Sequence, residues 1–229
     1  MNTTPPVREL AFEVTPEIGT VSALFARPAD AWCMAALAHG AGAGMRHPFM
    51  ASVAAALAAH GVATFRYQFP YMEAGRRLPD RPAPLVATVR AAVDVARATA
   101  PELPLIAGGK SLGGRMTSTA FSAAPLPDVR GLVFLGFPLH PAGRAGTKRA
   151  EHLAHVEAPM LFLQGTRDKL ADLPLITSVC ESLGPGAHMH VIEGADHGFH
   201  VLKRSGRSDD DVVQELVSTI VAWARGVAE

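Results

Sequence analysis

Short apolar runs alternate with helix-spaced segments along most of the chain. Residues 8–14 and 19–27 predict two strands joined by a turn at Thr15-Pro16-Glu17. Residues 33–38 form a third apolar run ending in His39-Gly40. The pattern then predicts a helix over 47–59, stopped by Gly61, and a fourth strand over 62–66. The segment 67–84 is rich in Pro and Arg and predicts an irregular surface excursion over one end of a sheet. Val86, Val89, Val93 and Ala96 give helical spacing to 85–99. Strand five is predicted over 103–107, with a helix after Ser111. Strands six, seven and eight follow over 131–135, 160–164 and 188–192, with a helix over 172–183 between the last two. A closing helix, 209–225, places Val212, Val213, Leu216, Ile220 and Trp223 on one face. Asp209, Asp210 and Asp211 at its start suit the positive end of a helix dipole.

Apolar strands alternating with helices predict a mostly parallel, roughly eight-stranded sheet covered on both faces. With 229 residues the chain suits one α/β domain over 1–229, with a core large enough to need no disulfide or metal. Hydrophobic residues at 48% and charged ones at 18% exclude a disordered chain. Lys+Arg and Asp+Glu balance at 21 each, which gives no electrostatic reason to expect nucleic acid or an anionic membrane as partner. No apolar stretch is long enough to span a bilayer; His60 and Gly61 end the Ala-rich run. Residues 1–9 carry no basic segment leading into an apolar one, so no secretory leader is read and a cytoplasmic location is expected. Cys33 and Cys180, each in an apolar setting, are read as buried reduced thiols.

Active sites of such sheets lie beyond the carboxyl ends of the strands. After strand five comes Gly109-Lys110-Ser111-Leu112-Gly113, a G-x-S-x-G. That spacing suits a nucleophile on a strained strand-to-helix turn, with glycines that let neighbouring backbones pass. Gly109-Lys110-Ser111 also resembles the end of a phosphate-binding loop, but Pro104 stands where that loop needs glycine. A serine nucleophile needs an acid and then a histidine, each after a later strand. Asp168 follows strand seven and His197 follows strand eight. The expected roles are nucleophile for Ser111, general base for His197 and orienting carboxylate for Asp168. Asp172 is the rival acid, His200 the rival base, and Asp196 is read as a local turn-former.

An acyl-transfer intermediate also needs two N–H donors aimed at one oxygen. Leu112, after the nucleophile, is one candidate; Ala41 in the Gly-rich loop after strand three is the other, with Gly40 as its alternative. His140 either lines the pocket or is structural. Arg66, Lys110 and Arg115 lie near strand ends around Ser111, where solvated or ion-paired roles compete with an anionic substrate. His152 with His155, and His188 with His190, lack a further defined ligand set for a metal. No cofactor motif is present, and triad hydrolysis requires none.

The segments 39–45, 69–73, 108–115, 135–141 and 164–168, with Asp196-His197, together resemble the bacterial α/β-hydrolases related to dienelactone hydrolase. They are more similar still to the branch shared with testis-expressed hydrolase-like proteins of animals. The resemblance covers nearly the whole chain and implies an eight-stranded α/β-hydrolase fold with little or no lid. Ser111 stands where dienelactone hydrolase has cysteine, so dienelactone is not the implied substrate. The expectation is a serine hydrolase of an ester, thioester or related acyl bond in a small molecule. The rival is a non-catalytic binding or scaffold protein of the same fold, as some animal members are; the sequence leaves oligomeric state open.

Overall fold

The computed structural model describes residues 5–228. The absence of a leader was read partly from residues 1–4, which lie outside the described residues, as does the last position of the predicted domain. Eight strands form one sheet: β1 (Val7–Thr15), β2 (Gly19–Ala26), β3 (Cys33–Ala38), β4 (Val62–Tyr67), β5 (Leu105–Lys110), β6 (Val129–Leu135), β7 (Met160–Gly165) and β8 (Ala187–Ile192). Their spatial order is β1-β2-β4-β3-β5-β6-β7-β8. The hairpin strand β2 runs antiparallel to both β1 and β4, while β3 to β8 are mutually parallel.

Helices α1 (Pro48–Ala59) and α6 (Asp209–Ala228) cover one face. Their Met50, Val53, Leu57, Val212, Leu216 and Ile220 pack on Leu37, Ile106, Val133 and Leu161 of the sheet. Helices α3 (Pro82–Thr99), α4 (Leu112–Ala123) and α5 (Leu173–Ser182) cover the other face with the short α2 (Pro70–Glu73). Every residue of β3, β4 and β7 is buried, which explains apolar runs without alternation. Phe134 and Phe162 bring ring centroids within 4.7 Å at the centre, a pairing worth about 0.5–1.5 kcal/mol beyond its buried area. Among the described residues no helix is long and apolar enough to cross a membrane.

Several element ends differ from the sequence reading by one to three residues, and three segments show why. The stretch 67–84 is not a surface excursion throughout: Phe69 and Tyr71 are fully buried, and α2, which contains Tyr71, follows Phe69 directly. The physical reason is aromatic packing, with Phe69 edge-on to His39 at 4.9 Å and to Tyr67 at 5.9 Å. Helix α3 begins at Pro82 rather than 85, because prolines in a first turn forfeit no helical hydrogen bond. Strand β5 begins two residues later than 103 and runs on to Lys110, so Ser111 follows it directly.

Strand β3 pairs with β4 on one side and β5 on the other. The chain therefore reverses its direction of winding at β3, and a crevice opens there between the loop after β3 and the turn after β5. This crevice positions the site.

Candidate active site

Ser111 sits between β5 and α4 with φ 51° and ψ −114°. A non-glycine residue in such a conformation stores about 1–3 kcal/mol, held in place by its surroundings. The surroundings are Ala38 at the end of β3. A Cβ on Gly109 would lie 2.1 Å from the Ala38 carbonyl oxygen, and one on Gly113 would lie 2.4 Å from the same atom. Both glycines are thus required by one neighbouring strand. The Ser111 N–H donates to Leu135 O at 3.1 Å and its carbonyl accepts from Arg115 N at 3.1 Å. The turn is pinned from both ends.

His197 Nε2 lies 2.8 Å from Ser111 Oγ, and His197 Nδ1 lies 2.7 Å from Asp168 Oδ2. A carboxylate only accepts, so the tautomer that satisfies both contacts carries its proton on Nδ1. Nε2 is then free to accept the serine proton. The Asp168 side chain is 1% exposed. Its carboxylate also accepts from Gln164 Nε2 at 2.5 Å and from Leu170 N at 2.8 Å, which fixes its orientation.

The rivals lie elsewhere. Asp172 caps α5 by accepting from Leu175 N. Asp196 Oδ1 accepts from Gly198 N and His200 N, closing the local turn expected of it. His200 meets Asp209 at 2.6 Å. His140 holds loops together: its Nδ1 donates to Pro141 O and its Nε2 accepts from Asp172 N. Arg66 donates to Met45 O and so ties β4 to the loop before α1. Burial lowers the pKa of Arg66, helped by nearby Arg46. Arg115 is likewise lowered, by burial and then Arg149, on the side of α4 that faces His152.

Ser111 and His197 open into a cavity of about 330 Å³ whose walls include Ala41, Ala43, Phe49, Met50 and Leu170. Phe49 stacks on Phe199 at 5.5 Å, extending an apolar wall beside the imidazole. A larger depression, about 560 Å³, lies at the opposite edge around Pro101, Leu103 and Asp128. It holds no nucleophile, and Arg97 and Asp128 there pair with each other at 2.8 Å.

Gly40 lies against the Ser111 turn, since a Cβ there would lie 3.8 Å from Ser111 Cβ. Three other amides of the loop are engaged: Gly42 N donates to Tyr71 Oη, Ala43 N to Gly40 O and Met45 N to Gln68 Oε1. His39 anchors the loop from below. Its Nδ1 donates to Gly40 O at 2.7 Å and its Nε2 accepts from Phe69 N at 3.1 Å. Desolvation pushes the His39 pKa down to about 4. Sequence alone assigns no role to His39, Gln164 or Phe199; for the first two the signal is a polar residue closing an apolar strand run.

His152 meets Ser118 and His190 meets Glu215, each at 2.8 Å. Among the described residues no three His, Cys, Asp or Glu side chains group as a metal site would require. Cys33 and Cys180 are free and buried, and burial raises both pKa values to about 12.

A model of the alpha/beta hydrolase domain family matches residues 33–225. Solved structures share the fold. A dienelactone hydrolase from Anabaena variabilis aligns with TM-score 0.77 and 21% identity over 99% of this chain and 100% of its own. An α/β serine hydrolase without lid from Xanthomonas campestris aligns with TM-score 0.72 and 21% identity over 97% of this chain and 98% of its own. The esterase domain of a Rhodothermus marinus protein aligns with TM-score 0.74 and 17% identity over 98% of this chain and 100% of its own. The family match runs from the first residue of β3 into α6, and the chain belongs to the alpha/beta hydrolase family.

Proposed function

We propose that the protein is a serine hydrolase that cleaves a carboxylic ester, thioester or related acyl bond of a small molecule. The observation that carries this reading is the hydrogen-bonded line from Ser111 Oγ through His197 to Asp168, at 2.8 and 2.7 Å. His197 Nε2 takes the Ser111 proton as Oγ attacks the carbonyl carbon. Asp168 holds the imidazole and stabilises the imidazolium. The backbone N–H groups of Leu112 and Ala41 hold the oxyanion, with the start of α4 adding its dipole. The imidazolium then gives its proton to the leaving group, and an acyl-Ser111 remains. Water attacks that acyl group, His197 takes the water's proton, and Ser111 leaves reprotonated.

The cavity's size and apolar wall favour a short acyl group. Two of the structures of like fold are named as a serine hydrolase and an esterase, which agrees with this chemistry. Two buried free thiols suit a reducing compartment, and the reading keeps the enzyme in the cytoplasm.

The test is covalent labelling with a fluorophosphonate probe alongside turnover of short p-nitrophenyl esters. The intact protein is expected to label and turn over, and Ser111→Ala to do neither. An intact protein inert to both would instead favour a non-catalytic binding role.

A further inference from the structure

Lys110 precedes the nucleophile and closes β5, and its side chain forms part of the cavity wall beside Ser111. From there Lys110 Nζ donates to the carbonyl oxygen of His197 at 2.5 Å. Asp168, beyond β7, and Asp196, beyond β8, supply opposite charge to the ammonium; His197 is the other titratable group against it. The ring of Phe199 lies 5.3 Å from Nζ. Room for the ammonium comes from Gly136, where a Cβ would lie 3.1 Å from Nζ and 3.6 Å from both Asp168 Oδ2 and His197 Cε1.

The steps of acyl transfer assign no work to a cation at this place, and a lysine drawn into a protein loses hydration. Burial lowers the Lys110 pKa to about 8, against the pull of Asp168 and Asp196. What the side chain does is mechanical. Other backbone ties of the His197 loop run within it, to the loop after β7 and to the start of α6: Asp196 Oδ1 accepts from Gly198 N and His200 N, Arg167 N donates to Ala195 O, and Val201 N donates to Asp209 Oδ1. Lys110 instead joins the backbone of the base to the strand that carries the nucleophile. Proton transfer demands a near-attack separation between those two residues, and a displacement of about 1 Å can cost two orders of magnitude in rate.

We infer that Lys110 is a positioning residue, tying the His197 carbonyl to β5 and so holding the imidazole between Ser111 and Asp168. The inference rests on the serine-hydrolase reading given above. Its test is Lys110→Met, which keeps the length of the side chain and removes the donor. With a short p-nitrophenyl ester, kcat is expected to fall about tenfold or more while KM changes less than about threefold. The far-downfield proton resonance of His197 Nδ1–H is expected to shift or broaden in the same variant. Unchanged kcat with an unchanged resonance overturns the inference.

Should Lys110→Met fail to fold, Lys110→Leu, a shorter apolar side chain that also lacks the donor, carries the test. Its kcat is expected to fall about tenfold with KM little changed. An unchanged kcat overturns the inference. Ser111→Ala separates the two readings. If that variant keeps its activity, the serine-hydrolase reading has failed. If it is inactive and Lys110→Met is unimpaired, only the role of Lys110 has failed.

Discussion

Gln164 donates its amide to the same Asp168 oxygen that accepts from His197, so one carboxylate oxygen holds both contacts. Gln164 is fully buried at the end of β7, and its own carbonyl oxygen has no partner among the described residues. A hydrogen bond to a charged acceptor is worth about 1.5–3 kcal/mol. Gln164→Leu is therefore expected to lower kcat roughly tenfold or more through a less constrained Asp168. The melting temperature is expected to change little, because the substitution also removes an unsatisfied carbonyl. Asp168→Asn gives the stronger outcome, a loss of about 10⁴-fold in kcat, by favouring the wrong imidazole tautomer. Steady-state kinetics on p-nitrophenyl acetate checks both.

The turn at Ser111 makes a prediction about stability rather than rate. Gly113→Ala would set a methyl group 2.4 Å from the Ala38 carbonyl oxygen, and backbone on both sides resists the shift. Overpacking of this kind costs about 1–3 kcal/mol or more. A fall of several degrees in melting temperature is expected, with loss of fluorophosphonate labelling. A variant with native stability and labelling would show that β3 and the Ser111 turn can move apart.

Acid pH should loosen the loop after β3. The pKa of His39 is about 4 in the folded chain, against an ordinary value of 6.5. The unfolded chain thus binds the proton more readily, and the folded state loses stability as pH falls from about 6.5 towards 4. The interval corresponds to about 3 kcal/mol for a group buried as completely as His39. His152, lowered to about 4 by desolvation, then Arg115 and His155, adds in the same direction. Thermal melts between neutral pH and about pH 4.5 are expected to show this decline. His39→Gln is expected to be less stable at neutral pH and to show a shallower decline.

Phe49 closes part of the cavity wall and stacks on Phe199. Phe49→Ala is expected to enlarge the acyl space and to shift preference towards longer p-nitrophenyl esters. A removed methylene contact is worth about 1 kcal/mol, so turnover of the acetate should fall severalfold relative to a longer ester. An unchanged chain-length profile would place the acyl group elsewhere in the crevice.

The apolar runs made most strands legible, because a sheet buried on both faces demands unbroken apolar sequence, as in β3 and β7. Strand β5 was the exception. Gly108, Gly109 and Lys110 have no strand preference of their own, and it is pairing with Val133, Phe134 and Leu135 that makes them strand. The segment 67–84 departs from its loop-like sequence for the converse reason: its Pro and Arg content is that of a loop, yet Phe69 and Tyr71 enter the core around His39.

By itself the sequence determined the order of candidate residues, Ser111, Asp168 and His197, each beyond a strand end, because strand period and turn chemistry are local properties. Tertiary structure decided which acid faces the imidazole, placing Asp168 at 2.7 Å and leaving Asp172 to cap a helix. It also gave Lys110 its partner, the carbonyl of His197, and drew Gln164 onto Asp168. Such contacts depend on how β5, β6, β7 and β8 follow one another across the sheet. Residues 87 positions apart in sequence meet only when that packing exists.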